Sequence, residues 1–501
     1  MRISQRTVAP GNVLLCVLCT ILVVSLIGGN VLLNCITRYN VASSQVRSWK
    51  ESLDAAETGG DIAYAELRKT ISDPTHAFSP SNGWTYSGGA YTNSPVTYGQ
   101  DNLSTSSRVD PFYYDGNGNA WYRIRTKGTA PVLGLKRVGM DDRMGPNTRG
   151  DSLLRKIDFN YDHFVATYGP NGEGVGQTLL PVSQPQVSRR VELIAAPVTP
   201  FEAAIKAGGT FYGLGSAAYV DSYRSATGPY DPSVKTNPAD PRYADSHAGT
   251  VEINGSVATI MGNIYGNLYT NGGTVTKKTT SISGIIDNNV PFSLSPFIMP
   301  STAGWNYISS PAVINPNTTI TPAAAGSADK PNYYLVNSFV NNGSLTVNPY
   351  TANGVPQETY VAVHVTSDIG SSNGQGPSIT VPAHVHLDIY FDGNLQTKAE
   401  NIVNTSGYAS NLQFYAISPT DPNIQQTVNL SSGSGSTAGF SAVFYTPSAN
   451  FTITGAPDIT GAIVCKNFYT NGNIHWHYDR ALDGQGDAVD YRVISYVEDI
   501  R

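Results

Sequence analysis

Apolar positions along this 501-residue chain follow three regimes. The first is continuous. Residues 11–35 read GNVLLCVLCTILVVSLIGGNVLLNC, and no charge occurs from Thr7 to Thr37. Val13 to Ile36 is long enough to cross a hydrocarbon core of about 30 Å at about 1.5 Å per residue. A signal-peptide core usually runs only ~7–15 residues. No small-x-small cleavage site follows, and Arg38 closes the run. The expectation is a retained transmembrane helix over 12–37, with a cleaved signal peptide as the alternative. Arg2 and Arg6 precede the run without an acidic residue. That assigns residues 1–11 to the cytoplasm as a short leader. It makes the chain single-pass in the inner membrane, its C-terminal domains periplasmic or extracellular.

The second regime is periodic. Val46, Trp49, Leu53, Ala56, Gly60, Ala63 and Leu67 recur at alternating spacings of three and four, with mostly polar residues between them. One stripe of a helix is the physical reading. It predicts an amphipathic helix over 38–73 that continues the first as a rod of roughly 90 Å. A membrane-proximal stalk or coiled coil is the plainer alternative. Pro74 ends the pattern. Gly28–Gly29 and Gly59–Gly60 weaken the helix, so kinks are expected there.

The third regime is short alternation. AWYRIRTKG and VSRRVELIAAPV read as half-exposed strands and predict a small antiparallel β domain over 84–200. From 205 to 485, β-prone triplets each precede a Gly: VEING, ATIMG, SISG, FTITG, PDITG. Short strands with Gly or Asn corners predict a parallel β-helix, a solenoid with stacked Ile and Val inside. A β-sandwich is the alternative. The motif YTNG at Tyr269–Gly272 and at Tyr469–Gly472, with Ile264 and Ile463 upstream, suggests equivalent coils. Phe201–Ala207 is expected to cap an open end, and 486–501 to be a C-terminal tail. The fold class is therefore α+β, mainly β.

Charged residues make up only 14% of the chain, and a net charge of −6 with no basic stripe excludes a nucleic-acid partner. Cys16, Cys19 and Cys35 lie in the apolar run, leaving Cys465 without a partner outside it. A disulfide framework and a Cys-rich zinc site are excluded, and no cofactor is expected. Two His-x-His pairs carry the strongest candidate chemistry. His384 and His386 are followed by Asp388, and His475 and His477 by Asp479. Residues i and i+2 of a strand share a face, so each pair is a weak metal-site candidate beside a more ordinary hydrogen-bonded role. Asp141, Asp142 and Arg143 read as a solvated turn, and PNGEGVG lacks the context of a phosphate loop. Only eleven Lys and Arg follow residue 206, and the acids are scattered among turns. A glycan-active β-helix enzyme, which needs clustered carboxylates or a basic residue in a groove, is the less favoured class.

The apolar run VLLCVLCTILVVSLIGGNVL and the following SLDAAETGGDIAYAELRKT, after a basic N-terminus and a Gly, resemble the N-terminal region of PilX-type minor pilins over about 8–70. Ala55, Ala56, Glu57, Gly59 and Ala63 match the family's AAEAG…A core. The resemblance implies prepilin-type cleavage after Gly11, so that Asn12 begins the mature chain, and packing against other pilin or pseudopilin subunits. VDSYRSATGPY (220–230), LDIYFDGNLQ (387–396), AVFYTPSANFTITGAPDITGAIVCKNF (442–468) and IHWHYDRAL (474–482) resemble the β-solenoid-like domain of uncharacterised bacterial envelope proteins with a PilX-like N-terminus. There His477, Tyr478 and Asp479 match a His-Tyr-Asp motif of architectural role.

These expectations converge on a non-enzymatic subunit of a type IV pilus or type II secretion-like pseudopilus. Its partners are inner-membrane lipid, other pilin subunits and a surface or glycan ligand. The alternative is a membrane-anchored adhesin or scaffold outside any fibre.

Overall fold

The computed structural model describes the chain from Pro10 to Asp499 apart from residues 99–102, 116–117, 133–185, 256–259, 273–274, 277–281, 291, 293, 309–312, 372–375, 433–438 and 487. It is mainly β, with one long helix, and holds both parallel and antiparallel sheets. Two compact units divide it. The first comprises residues 1–113, 120–196 and 493–501, and the second 114–119 and 197–492. In chain order the second is inserted into the first.

A single helix, Pro10–Ser72, runs for 63 residues without interruption, roughly 95 Å at 1.5 Å per residue. Neither Gly28–Gly29 nor Gly59–Gly60 interrupts it. The second pair serves contact instead: a Cβ on Gly59 would overlap Thr105 Oγ1. From Leu14 to Ser43 every residue is exposed. Beyond that the helix packs against an antiparallel sheet of its own unit. The sheet order is Trp84–Ser87, Ala90–Asn93, Leu103–Tyr114, Ala120–Pro131, Gln186–Val198 and Asp490–Asp499, with Val96–Tyr98 paired to Leu103–Tyr114. The alternation read from sequence survives here. Ile124 pairs with Leu193, and both are buried, as is Val191. Residues 486–501 are not a tail. Asp490–Asp499 forms an edge strand beside Gln186–Val198, and Tyr496 OH donates to Glu57 Oε1 at 2.6 Å. A strand so close to the end of the chain carries no local signal beyond its β-branched residues.

The second unit is built mainly from parallel ladders, not from the antiparallel pairs of a sandwich; among the described residues its one antiparallel pair of strands is Thr351–Ala352 with Val355–Pro356, beside isolated antiparallel bridges at Ser327–Lys330 and Asn271–Asn289. One ladder stacks ten residues in a column: Tyr334, Val363, Ile389, Phe414, Phe444, Ile463, Ile205, Val251, Leu268 and Ile286. A second stacks Ile314, Phe339, Ile369, Leu395, Val428, Phe451, Phe468 and Phe211. A third runs Phe440, Ile459, Trp476, Val220, Ile264 and Ile282. The buried members of all three share one apolar core. Each fully buried aliphatic or aromatic residue stabilises the unit by about 1.5–3 kcal/mol relative to exposure, which is why the columns are so uniformly apolar.

Rung order differs from chain order. Ile205–Ala207, expected as an end cap, is a strand in mid-stack, between Asp458–Asn471 on one side and Val251–Ile253 on the other. The chain winds outward from there to Ile286, then returns along the outside and winds back from Asn306. The returning segment lies on an external row of tyrosines. Tyr445 OH donates to Ser295 O at 3.1 Å, Phe297 stacks on Tyr415 and Tyr390, and Trp305 meets Tyr333 edge-on. The two YTNG motifs are not equivalent: Tyr269 pairs with Glu252, whereas Tyr469 pairs with Tyr212 on a different ladder.

Candidate functional site

The segments VDSYRSATGPY and IHWHYDRAL, some 250 residues apart in sequence, meet as neighbouring parallel strands. His475 pairs with Tyr219, Trp476 with Val220, His477 with Asp221, Tyr478 with Ser222 and Asp479 with Tyr223. His477 is 1% exposed. Its Nδ1 lies 2.5 Å from Asp221 Oδ1 and its Nε2 lies 2.6 Å from Asp458 Oδ1. The second oxygen of the fully buried Asp221 accepts from Tyr230 OH at 2.7 Å and from Lys235 Nζ at 2.9 Å. Tyr230 lies against the His477 ring, His475 stacks on Tyr219, and Lys235 Nζ sits 3.4 Å from the Tyr219 ring centroid.

The cluster sets two acidic side chains, Asp221 and Asp458, against two basic ones, His477 and Lys235. Burial disfavours the His477 imidazolium, but the hydrogen bond to Asp221 and the Asp458 carboxylate beside its other nitrogen outweigh it and raise its pKa. Burial likewise opposes ionisation of Asp458, and the His477 bond outweighs it, holding that carboxyl below its usual range. At His475 burial outweighs the attraction of Asp458, 4.0 Å away, and lowers its pKa. With a carboxylate at each ring nitrogen, His477 has no free nitrogen to take a substrate proton. Tyr478 OH lies 2.5 Å from Phe201 O and 2.6 Å from Asp483 Oδ1, and Asp479 Oδ1 accepts the backbone N–H of Ser225 and Ala481. What the arrangement does chemically is tie two strands that are distant in sequence to each other.

His384 and His386 lie on a different ladder and are not brought to His475 and His477. Both turn to Glu358: His384 Nδ1 is 2.6 Å from its Oε1, and His386 Nε2 is 3.0 Å from its Oε2. His384 sits in the left-handed region (φ 65°), before the strand Val385–Phe391. It therefore escapes the strand alternation that was to align it with Asp388. Asp388 does not join them, and burial pushes its carboxyl up to about 7. Among the described residues, no three His, Cys, Asp or Glu side chains are arranged to hold a metal.

The helix stripe is divided. Ala56, Gly60, Ala63 and Leu67 are buried, and Leu53 is half-buried. Val46 and Trp49 are exposed, at 70% and 57%. Trp49 instead carries the Arg189 guanidinium 4.8 Å over its ring. The buried face is centred on smaller residues that an apolar stripe passes over: Ser48, Ser52, Ala55 and Gly59. Ser48 Oγ donates to Pro131 O, Thr126 Oγ1 to Ala56 O, and Ser107 Oγ to Gly59 O. A Cβ on Gly128 would overlap the Ser52 carbonyl oxygen, so the strand lies almost on the helix backbone. This part of the stripe packs on the chain's own sheet. Gly11 and Asn12 fall in the first turn of the helix. Asp141, Asp142, Arg143 and PNGEGVG lie outside the described residues.

Two features lack a sequence signal. Lys206 is buried with Nζ 2.9 Å from Glu202 and 3.1 Å from Glu252, beside the same coil junction; no motif marks it. Glu358 is the second. A regular strand alternation offers no reason to join it to a pair of histidines 26 and 28 residues on.

Residues 318–485 match the model of a domain of unknown function, DUF7305. No curated protein matches the chain. Among solved structures, the competence-associated pilin ComZ from Thermus thermophilus aligns over 90% of this chain and 97% of its own, at 10% identity and a TM-score of 0.23. That likeness is too low to establish a shared fold or role.

Proposed function

We propose that this chain is a minor-pilin-like, PilX-type subunit of a type IV pilus or type II secretion-like pseudopilus, structural and not catalytic. One observation carries the reading: a single helix whose first half is apolar and exposed and whose second half is seated on an antiparallel sheet. In this reading the exposed half sits in inner-membrane lipid with the N-terminus cytoplasmic. It passes from lipid into lateral contact with other pilin or pseudopilin helices. The second unit is then a β-solenoid, a reading supported by its parallel columns and shared core. It is held outside the membrane for assembly or for adhesion to a surface or glycan. The carboxylates at both nitrogens of His477 support a structural role for its motif.

The test is the N-terminal residue of protein isolated from its native membrane, read by peptide mass spectrometry. A chain beginning at Asn12 is the expected result. A chain beginning at Met1 leaves a plain anchor and an envelope scaffold outside any fibre. A chain beginning beyond residue 36 overturns the membrane-helix mechanism.

A further inference from the structure

We propose that the membrane half of the helix recognises a second copy of itself through Asn30 and Asn34. The two threonine hydroxyls of this segment are satisfied by the helix's own backbone: Thr20 Oγ1 donates to Cys16 O and Thr37 Oγ1 to Leu33 O, each at 2.8 Å. The two amides differ. Asn34 Nδ2 reaches Asn30 Oδ1 at 3.4 Å, a long bond. Two carboxamides offer several N–H donors and several acceptor lone pairs, so one bond leaves most of that capacity facing outward. Both residues stand exposed in a run that holds no charge and no other carboxamide after Asn12. In hydrocarbon a polar group without a partner is costly, and polar side chains there turn to other helices.

Position supports one contact face. At about 100° per residue, Val23, Ile27, Asn30 and Asn34 fall within an arc of roughly 60°, and Leu32 lies on the opposite side. At the same azimuth further along, Ser48, Ser52 and Gly59 are covered by the chain's own sheet. Two copies therefore cross at the amides and separate before Ser48.

Chemistry selects the partner. A carboxamide is self-complementary, donor to acceptor in both directions. Copies inserted in the same orientation place each Asn opposite its own counterpart at the same depth. A different helix would need matching amides at that depth. The inference rests on the retained membrane span of the reading above, but not on fibre assembly.

The test uses the full chain in phosphatidylethanolamine–phosphatidylglycerol vesicles, with Cys16, Cys19 and Cys35 changed to Ala. Ile27→Cys places a thiol on the proposed face and Leu32→Cys on the opposite one. Oxidative cross-linking is expected to give several-fold more dimer at Ile27→Cys. Adding Asn30→Leu with Asn34→Leu should lower association roughly three- to thirty-fold, whereas Asn30→Gln with Asn34→Gln retains most of it. Equal cross-linking at the two positions, or no response to the Leu pair, overturns the proposal. So does cross-linking in native membranes only to other proteins. The mature N-terminus separates the two readings. A start at Met1 or Asn12 without dimer refutes the pairing alone, and a start beyond residue 36 refutes both.

Discussion

His384 and His386 stand at the surface around one carboxylate, whereas His477, two residues from His475 in the same His-x-His spacing, is buried between two. The five-residue neighbourhoods are nearly alike in sequence: His-Val-His-Leu-Asp against His-Trp-His-Tyr-Asp. What separates them is what arrives from elsewhere in the chain. Glu358 comes from the previous rung, with more than half of its side chain in water. Asp221 comes from a strand 256 residues away and is fully buried. A carboxylate beside imidazole in water is worth about 0–1 kcal/mol. Removing one member of a buried, balanced set leaves an uncompensated charge and costs about 3–5 kcal/mol.

That difference sets the order of effects. His477→Ala is expected to destabilise the second unit by about 3–5 kcal/mol, seen as a lower midpoint in urea and as new proteolytic cleavage within 205–287. An unchanged midpoint would mean that the junction is held by its apolar columns alone. Phe444→Ala, in the longest column, should cost a similar ~3–5 kcal/mol by opening a cavity. It should do so without any dependence on pH, which distinguishes packing from charge.

The pH profile sharpens the contrast further. His477 has a raised pKa in the fold, so its contribution is fully present below the unfolded value near ~6.5. It is lost as pH rises through the raised folded value. Asp458 has a lowered pKa, so its contribution is present above the unfolded value near ~3.9 and is lost as pH falls through the lower folded one. Stability of the wild type should therefore decline on both sides of the mildly acidic range, and His477→Gln should lose the alkaline decline. Denaturant midpoints across pH check this; an alkaline decline unchanged in the variant would assign it to other groups. The smallest effect is at the exposed pair. His386→Ala should shift stability by no more than about 1 kcal/mol, and excess Zn²⁺ should leave the melting temperature unchanged. A Zn²⁺-dependent rise lost in His386→Ala would restore the metal-site reading.

The helix shows how far local pattern carries. Its length and continuity follow from an uninterrupted apolar run joined to a three–four spacing, because i to i+4 contacts and backbone bonds are nearest-neighbour effects. Its buried face does not follow. Hydropathy favours Val46 and Trp49, while the sheet approaches so closely at Gly128 that only small residues fit: Ser52, Ala55, Ala56, Gly59. Likewise the Gly59–Gly60 pair reads as a weak point in a helix considered alone, and becomes a point of contact once Thr105 is opposite it.

Determined by the sequence itself were the single long helix, the alternating strands Ala120–Pro131 and Gln186–Val198, the short Gly-punctuated strands beyond 205 and the apolar character of what they bury. Each depends on periods of two to four residues, and so on interactions the local chain already contains. The tertiary structure alone decided that Ile205–Ala207 sits in mid-stack, that Asp490–Asp499 returns to the first unit's sheet, and that Asp221 and Asp458 enclose His477 while Glu358 takes His384 and His386. Parallel strands are interchangeable locally, since most inward positions are apolar. Their order is set only when the whole column packs without a gap and each buried charge finds its opposite.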